Sequence, residues 1–377
     1  MPSGTDVRLI KRMRSERTNG SSENQDVNCK DLWFDDGNVI IASVDATRTE
    51  RHLFKVHKSV LSTHSLVLRD VFALPQPNAS VALTMDTYNG LPLVDFPDAP
   101  KDVEDLLTVL YYPTKLSWCQ NKRITFKKIE GVLRLSTKYE CRKLRKRIEQ
   151  VLALDWPSSF DAWEANEIFV NELLKRSDDP YDFAETLPDS AEIIHLANEC
   201  GITSVLPAAF YNIARTPELM CQPDSHRAHG YLYSSYCRES GTQGCTSEEL
   251  RRVMVGRQWL RQRAWEFFAK IQRTSDERRK FCTHANVEQR HKCHSVLTEW
   301  WGSEACKFLF GMDDLLGTLR MLIDRVGGLA MVCDECREWL VGRMKGEQID
   351  IWSHLPGFFG LEGHTNDVVD TVDSDEE

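Results

Sequence analysis

The sequence lacks both long apolar runs and an apolar leader. No stretch approaches the ~20 apolar residues of a membrane-spanning helix, and the first twenty residues are polar and charged. We therefore expect a cytoplasmic or nuclear protein with no membrane partner. In such a compartment the twelve cysteines are expected to remain reduced thiols.

An excess of positive charge is also missing. The chain has 47 Lys and Arg against 57 Asp and Glu, a net charge of −10 at pH 7. Affinity for nucleic acid comes largely from basic side chains that neutralise phosphates, so nucleic acid is not expected as the main partner. Two short basic runs, at 11–14 and 142–147, are interpreted first as solvated segments.

The motifs of the common catalytic sites are absent from the sequence. There is no glycine-rich phosphate loop, no His-Glu-x-x-His and no Gly-x-Ser-x-Gly. Neighbouring carboxylates such as Asp35 and Asp36 lie in turn-like stretches, without a pattern that would make them acid or base catalysts. We predict that the chain is not an enzyme and has no organic cofactor.

Composition and hydrophobic periodicity divide the chain into four segments. Apolar residues make up 41% and charged residues 28%, as in ordinary globular proteins, and the length suits two domains. Residues 1–28 and 366–377 lack hydrophobic periodicity and are predicted to be disordered tails, the second of them acidic. Between them we predict a mixed domain at 29–156 and a mostly α-helical region at 157–365.

The first domain is predicted to combine strands with helices. Asp36 and Gly37 predict a tight hairpin between two apolar runs, and residues 53–56 predict a third strand. Two short helices follow, the second capped by Ser65, and then a strand that ends before Pro97 and three further helices. The pattern favours an α+β fold, a small mixed sheet flanked by a helical cluster.

Several segments resemble the BTB/POZ domain. The sequence FKVHKSVL at 54–61, followed by Ser65 and Phe72, is similar to the BTB core motif, in which a strand runs into a His-basic pair and a helix. The resemblance extends to the strand at 93–95 and the helix at 107–111. It implies a non-catalytic scaffold that binds itself or other BTB proteins.

One branch of the family is more similar than the rest, the large set of BTB proteins in mushroom-forming (agaricomycete) fungi. The matching segments, in order, are VLRLSTKYECRKLR (132–145), Trp156-Pro157, LANECGITSVLPAAFY (196–211) and WSHLPGFFGL (352–361). The likeness covers residues 29–363 and therefore both predicted regions.

The resemblance also implies roles for individual residues. By position, Asp31 and Lys58 match an acidic and basic pair that lines a charged pocket near the dimer interface of transcription-factor BTB domains, and His57 lies beside them in the motif. Two alternatives stay open. The two charges can be ordinary surface side chains, and His57 can be a packed histidine at a helix start.

The mode of association and the partner are further expectations from the resemblance. Strand-exchanged BTB dimers use an apolar N-terminal helix and strand, for which this chain offers only Val7, Leu9 and Ile10, so strand exchange is not expected. Some BTB proteins are substrate adaptors of cullin-based ubiquitin ligases. Residues 157–216 could supply the helical extension that such an adaptor needs.

The C-terminal half contains one group of residues suited to metal chemistry. Its CxxC pair has the gap that lets two thiolates reach one tetrahedral zinc. The predicted sulfur ligands of a structural zinc are Cys282, Cys293, Cys333 and Cys336, and the histidines that could replace one of them are His284, His291 and His294. The alternative is free thiols on helical faces. Zinc binding would favour a second function, that of a transcription regulator.

Overall fold

The computed structural model describes residues 25–47, 49–74, 86–115, 123–176, 189–215, 244–274, 280–311 and 313–361. The chain divides into two compact units, residues 1–116 and 117–377. The predicted N-terminal tail up to residue 24, with its basic run, and the predicted acidic tail at 366–377 lie outside the described residues.

The described part of the first unit contains five strands and three α-helices. In chain order they are β1 (Gln25–Trp33), β2 (Val39–Val44), β3 (Glu50–Val56), α1 (Lys58–His64), α2 (Leu66–Ala73), β4 (Thr87–Tyr88), β5 (Leu91–Phe96) and α3 (Pro100–Tyr111). As predicted, the Ser65 side chain caps α2 by accepting a hydrogen bond from the backbone N–H of Leu68 at 3.0 Å.

The strands form one mixed sheet in the order β1-β3-β2-β5-β4. Strand β3 is antiparallel to β2 and parallel to β1, and β2 is parallel to β5. Helix α3 packs against β1 and β2, with Val103, Leu106 and Leu107 buried as the i, i+3, i+4 pattern predicts. The predicted α+β fold with a small mixed sheet is confirmed.

The predicted hairpin between β1 and β2 is wrong. These two strands flank β3 instead of pairing with each other, because the chain between them crosses the end of β3: the N–H of Phe34 donates to the carbonyl of Lys55 at 3.0 Å, and the N–H of Asn38 donates to that of Val56 at 2.9 Å. A glycine is needed in this turn, since a Cβ on Gly37 would lie 2.8 Å from Cγ of Lys55. Strand β1 begins at Gln25, so the residues at 25–28, expected in the tail, belong to the sheet.

The described part of the second unit consists of helices. They are α4 (Arg123–Lys138), α5 (Arg142–Asp155), α6 (Phe160–Arg176), α7 (Ser190–Cys200), α8 (Leu206–Ala214), α9 (Ser247–Arg273), α10 (Val287–Trp300), a π-helical turn (Trp301–Ala305), α11 (Cys306–Gly311), α12 (Leu315–Gly327) and α13 (Asp334–Phe358). The predicted mostly helical C-terminal region is confirmed. Each helix within the described ranges is too short or too polar to cross a bilayer.

Three helix ends in this unit form as the sequence predicts. Thr246 and Glu249 form a reciprocal capping box at the start of α9. Gly201 ends α7 in the left-handed conformation with φ +67°. Pro207 lies in the first turn of α8, where no hydrogen bond from its nitrogen is required.

A buried ion-pair network joins three of these helices. Arg215, which follows α8, donates to both carboxylate oxygens of Glu167 on α6, at 2.8 and 2.7 Å. It also reaches Asp314, the N-cap of α12, at 3.5 Å. All three residues are at most 2% exposed. Burial alone would lower the pKa of Arg215, but the charges of Glu167 and Asp314 raise it above its ordinary value.

Tyr211 completes the network from within α8. Its hydroxyl donates to Asp314 at 2.7 Å and accepts from the backbone N–H of Leu316 at 2.9 Å. Burial and the charge of Asp314 raise the pKa of Tyr211 well above its ordinary value. The indole ring of Trp163 on α6 covers the guanidinium of Arg215 at 5.4 Å. The hydrogen bonds of Arg215 and Tyr211 thus connect α6, α8 and α12.

We predict that Arg215→Met will strongly destabilise the second unit, because Glu167 and Asp314 would remain as buried carboxylates without their cation. Breaking a buried pair from one side costs about 3–5 kcal/mol, which for a region of this size lowers the melting temperature by roughly 10 °C. Differential scanning calorimetry measures the change.

The matched control is Arg251→Met, which removes an exposed pair with Glu248 on the first turns of α9 and should leave the melting temperature nearly unchanged. Equal effects of the two substitutions would contradict the importance assigned to the buried network.

Candidate functional site

The BTB-like motif lies where β3 runs into α1. Strand β3 ends at Val56, His57 is the N-cap, and α1 begins at Lys58. The side chain of His57 does not cap the helix. Instead the Oδ1 of Asn38 accepts a hydrogen bond from the backbone N–H of Lys58 at 2.8 Å, so that the chain crossing the end of β3 also fixes the start of α1.

His57 is held by an acid on one side and a phenol on the other. Its Nε2 lies 3.1 Å from Oδ1 of Asp36, and its Nδ1 lies 3.0 Å from the hydroxyl of Tyr111. The same hydroxyl accepts from the backbone N–H of His57 at 2.8 Å, and Phe34 stacks on Tyr111 with ring centroids 4.6 Å apart. These contacts are those of a packed histidine at a helix start.

The electrostatics of this group follow from the same contacts. The hydrogen bond from His57 lowers the pKa of Asp36 below its ordinary value. Burial raises the pKa of Tyr111, which therefore remains a neutral hydroxyl able to donate and accept at neutral pH. Because Tyr111 is the last residue of α3, its hydrogen bonds with His57 hold the end of α3 against the junction between β3 and α1.

The structure does not bring Asp31 and Lys58 together. Both residues are described, and the carboxylate of Asp31 lies 3.6 Å from Nζ of Lys115, while Nζ of Lys58 lies over the ring of Phe72 at 5.9 Å. The carboxylate that contacts the motif is that of Asp36, a residue whose sequence context predicts only a turn. Asp36 lies within the segment that crosses the end of β3, so its contact with His57 depends on strand pairing and had no local signal in the sequence.

Helix α2 has an apolar stripe that the unit leaves partly uncovered. Val67 and Val71 lie one turn apart on one side of the helix, and Leu74, the C-cap residue that follows the helix, is counted with them. The two valines are partly exposed, and Leu74 is 65% exposed. On another side of α2, Leu68 is buried against the unit. The stripe is a candidate partner-binding surface.

A second candidate site in the C-terminal unit brings thiols and an imidazole together. One ligand atom from each of Cys282, His284, Cys293 and Cys333 lies within 4.8 Å of the other three. Sγ of Cys333 is 3.9 Å from that of Cys293 and 3.8 Å from that of Cys282. Such a Cys/His cluster is able to bind a metal ion.

Three of the four predicted sulfur ligands are thus neighbours, and His284 takes the fourth place in this group. Cys336 is buried in the first turn of α13 and is not a member of this group. Two of the histidines that the sequence offered, His291 and His294, lie on α10 outside the group. The C-x-H spacing of Cys282 and His284 is the sequence feature that could have predicted His284 as a member of this group.

The N-terminal region thus combines a small mixed sheet with short flanking helices, one of which has a partly uncovered apolar face. Residues 39–154 match the BTB/POZ domain. The chain therefore carries an N-terminal BTB/POZ domain, a protein-interaction domain, followed by a mostly helical region. The match continues beyond the first unit through α4 and nearly all of α5. No curated protein matches the chain.

We predict that Tyr111→Phe will destabilise the BTB/POZ domain by about 1 kcal/mol, because the backbone N–H and the ring nitrogen of His57 would lose their shared partner. Urea denaturation followed by fluorescence measures the loss. Tyr112→Phe is the matched control, since the hydrogen bonds to His57 come from Tyr111 alone of the two neighbours. An equal or larger effect at Tyr112 would contradict the assigned role.

Proposed function

We propose that the protein is a non-catalytic interaction scaffold that self-associates through its BTB/POZ domain and presents the helical C-terminal region to other proteins. The observation that carries the proposal is the partly uncovered apolar stripe of α2, formed by Val67, Val71 and Leu74, in a domain whose family binds proteins. A second copy of the chain is the proposed occupant of the stripe.

The sheet edges favour association through a helical face over strand addition. Edge strand β1 carries exposed polar residues at Gln25, Asp26, Asn28 and Lys30, and charges on an edge strand disfavour pairing with another chain. The opposite edge strand, β4, has only two residues. The expected absence of strand exchange agrees with this interpretation, although its residues Val7, Leu9 and Ile10 lie outside the described ones.

The energetic case rests on burial of the stripe. Complete burial of a Val or Leu side chain contributes about 1.5–3 kcal/mol, so two symmetric copies of the stripe form the centre of an interface. A twofold contact is self-complementary, because each stripe packs on the same stripe of the other copy. Asp31, His57 and Lys58 are then proposed to contribute polar contacts near such an interface, as the family resemblance implies.

We predict that Val71→Asp will weaken self-association at least about tenfold, because the interface would then bury an unpaired carboxylate. Sedimentation equilibrium of the full-length protein measures the dissociation constant. The domain itself should keep its melting temperature, because Val71 is only partly buried in the single chain.

Ala73→Asp is the matched control, because it places the same side chain, with the same change of net charge, on an exposed position of α2 that is off the stripe. This variant should associate like the unchanged protein. If both substitutions weakened association equally, the stripe would not be the interface, and net charge would account for the effect.

A finer version of the proposal is a substrate adaptor of a cullin-based ubiquitin ligase. It is supported by the helices α6, α7 and α8, which follow the matched BTB/POZ range directly and supply a helical extension. Purified cullin retained by the immobilised full-length protein at micromolar concentration would support this version, and no retention would remove it while leaving self-association untouched.

The alternative function is a transcription regulator with a zinc-stabilised C-terminal region. The Cys/His cluster favours its metal component, while the net charge of −10 disfavours its DNA-binding component. Salt-dependent binding of duplex DNA would be the deciding observation. The similarity to the BTB proteins of mushroom-forming fungi is compatible with either function and remains an inference from the quoted segments.

A further inference from the structure

The segment at 280–292 has almost nothing buried to hold it in place. Of its thirteen residues, only Cys282 and His284 are partly buried, and the other eleven are exposed. The apolar side chains of Phe281 and Val287 are 52% and 67% exposed. Ordering a segment costs about 1–2 kcal/mol per residue in conformational entropy, and apolar burial does not offset that cost here. The two side chains that turn inward are both metal-ligand types.

The separations within the cluster are those of a tetrahedral metal site. Zinc–sulfur bonds of ~2.3 Å at tetrahedral angles place two sulfur ligands ~3.8 Å apart. The observed Sγ–Sγ distances from Cys333 are 3.8 Å to Cys282 and 3.9 Å to Cys293. A disulfide would need sulfur atoms ~2.05 Å apart. The imidazole of His284 lies within 4.8 Å of all three sulfurs and supplies the fourth donor.

The backbone around the cluster favours thiolate ligands. Cys333 is the N-cap of the long helix α13, where the helix dipole stabilises negative charge. The hydroxyl of Thr283 donates to Glu335 at 2.6 Å. This contact ties the 280–286 loop to the first turn of α13 at the position of the cluster.

We propose that Cys282, His284, Cys293 and Cys333 bind one structural Zn²⁺ ion. Three soft thiolates and one imidazole select zinc over magnesium or calcium, which prefer oxygen ligands. Four protein ligands leave no open position, so the site is structural and not catalytic. The ion would join the 280–286 loop, the middle of α10 and the start of α13. This inference is independent of the association of the BTB/POZ domain.

The test is the metal content of the full-length protein purified without chelators, reduced, supplied with zinc and then dialysed. Elemental mass spectrometry should find one zinc per chain. Cys282→Ser and His284→Ala should both lower the content severalfold. Two matched controls should keep it: Cys306→Ser, a partly buried thiol on α11, and His291→Ala, an exposed histidine on α10.

A second measurement covers variants that fail to fold. The unchanged protein, loaded with Co²⁺ in place of zinc, should show the visible absorption of a tetrahedral ion together with thiolate-to-cobalt charge transfer. Removal of the metal by a chelator should lower the melting temperature of the C-terminal unit.

Two results would overturn the proposal. The first is an unchanged protein that holds no zinc after reduction and resupply, whether its thiols are free or linked in a disulfide. The second is zinc that is lost in Cys336→Ser but kept in His284→Ala, which would establish the four-cysteine ligand set instead of the three-cysteine, one-histidine set.

Discussion

Arg215 needs its two carboxylate partners because its side chain is fully buried. A charge in that position is tolerated only when its hydrogen-bonding atoms find charged partners, and Glu167 and Asp314 come from helices far apart in the sequence. The backbone carbonyls just before it, those of Ile213 and Ala214, accept hydrogen bonds from Arg257 on α9. The end of α8 therefore fixes α6, α9 and α12 in one arrangement, and α13 packs on α8, α9 and α12. Polar satisfaction, added to apolar burial, specifies how these helices meet.

In the BTB/POZ domain, too, a few polar contacts fix how neighbouring elements meet. Strand β3 pairs on both sides, and the chain that crosses its end supplies Asn38 to start α1 and Asp36 to hold His57. These polar contacts fix the junction from which α1 and α2 continue. The apolar stripe lies on α2, while the edge strands of the sheet are polar (β1) or only two residues long (β4). That combination suits selective association through one face.

Much of the secondary structure followed from local patterns. The amphipathic face of α3, the Ser65 cap, the capping box at Thr246 and the left-handed Gly201 are local features, and each depends on residues within about one or two helical turns. The core motif around His57 also identified the domain. In these cases the physical cause and the sequence pattern lie in the same short window, which is why prediction succeeded.

The sequence-based predictions failed for features that depend on residues far apart in the sequence. The Asp36-Gly37 turn was recognised, but a turn signal does not specify which strand its neighbours pair with, and β3 came between them. Nothing in the spacing of Glu167, Arg215 and Asp314 indicates a network, because the partners are 48 and 99 residues apart along the chain. The choice of His284 over Cys336 in the cluster likewise depends on how the loop before α10 folds back onto α13.

The central claim, self-association of the BTB/POZ scaffold, is tested most directly by the absolute mass of the unchanged protein. Light scattering during size-exclusion chromatography, repeated across a dilution series, gives that mass without assumptions about shape. The account predicts twice the chain mass of 43.4 kDa at tens of micromolar, with dissociation on dilution. A mass of one chain throughout the series would contradict it and would mean that the α2 stripe binds a different protein.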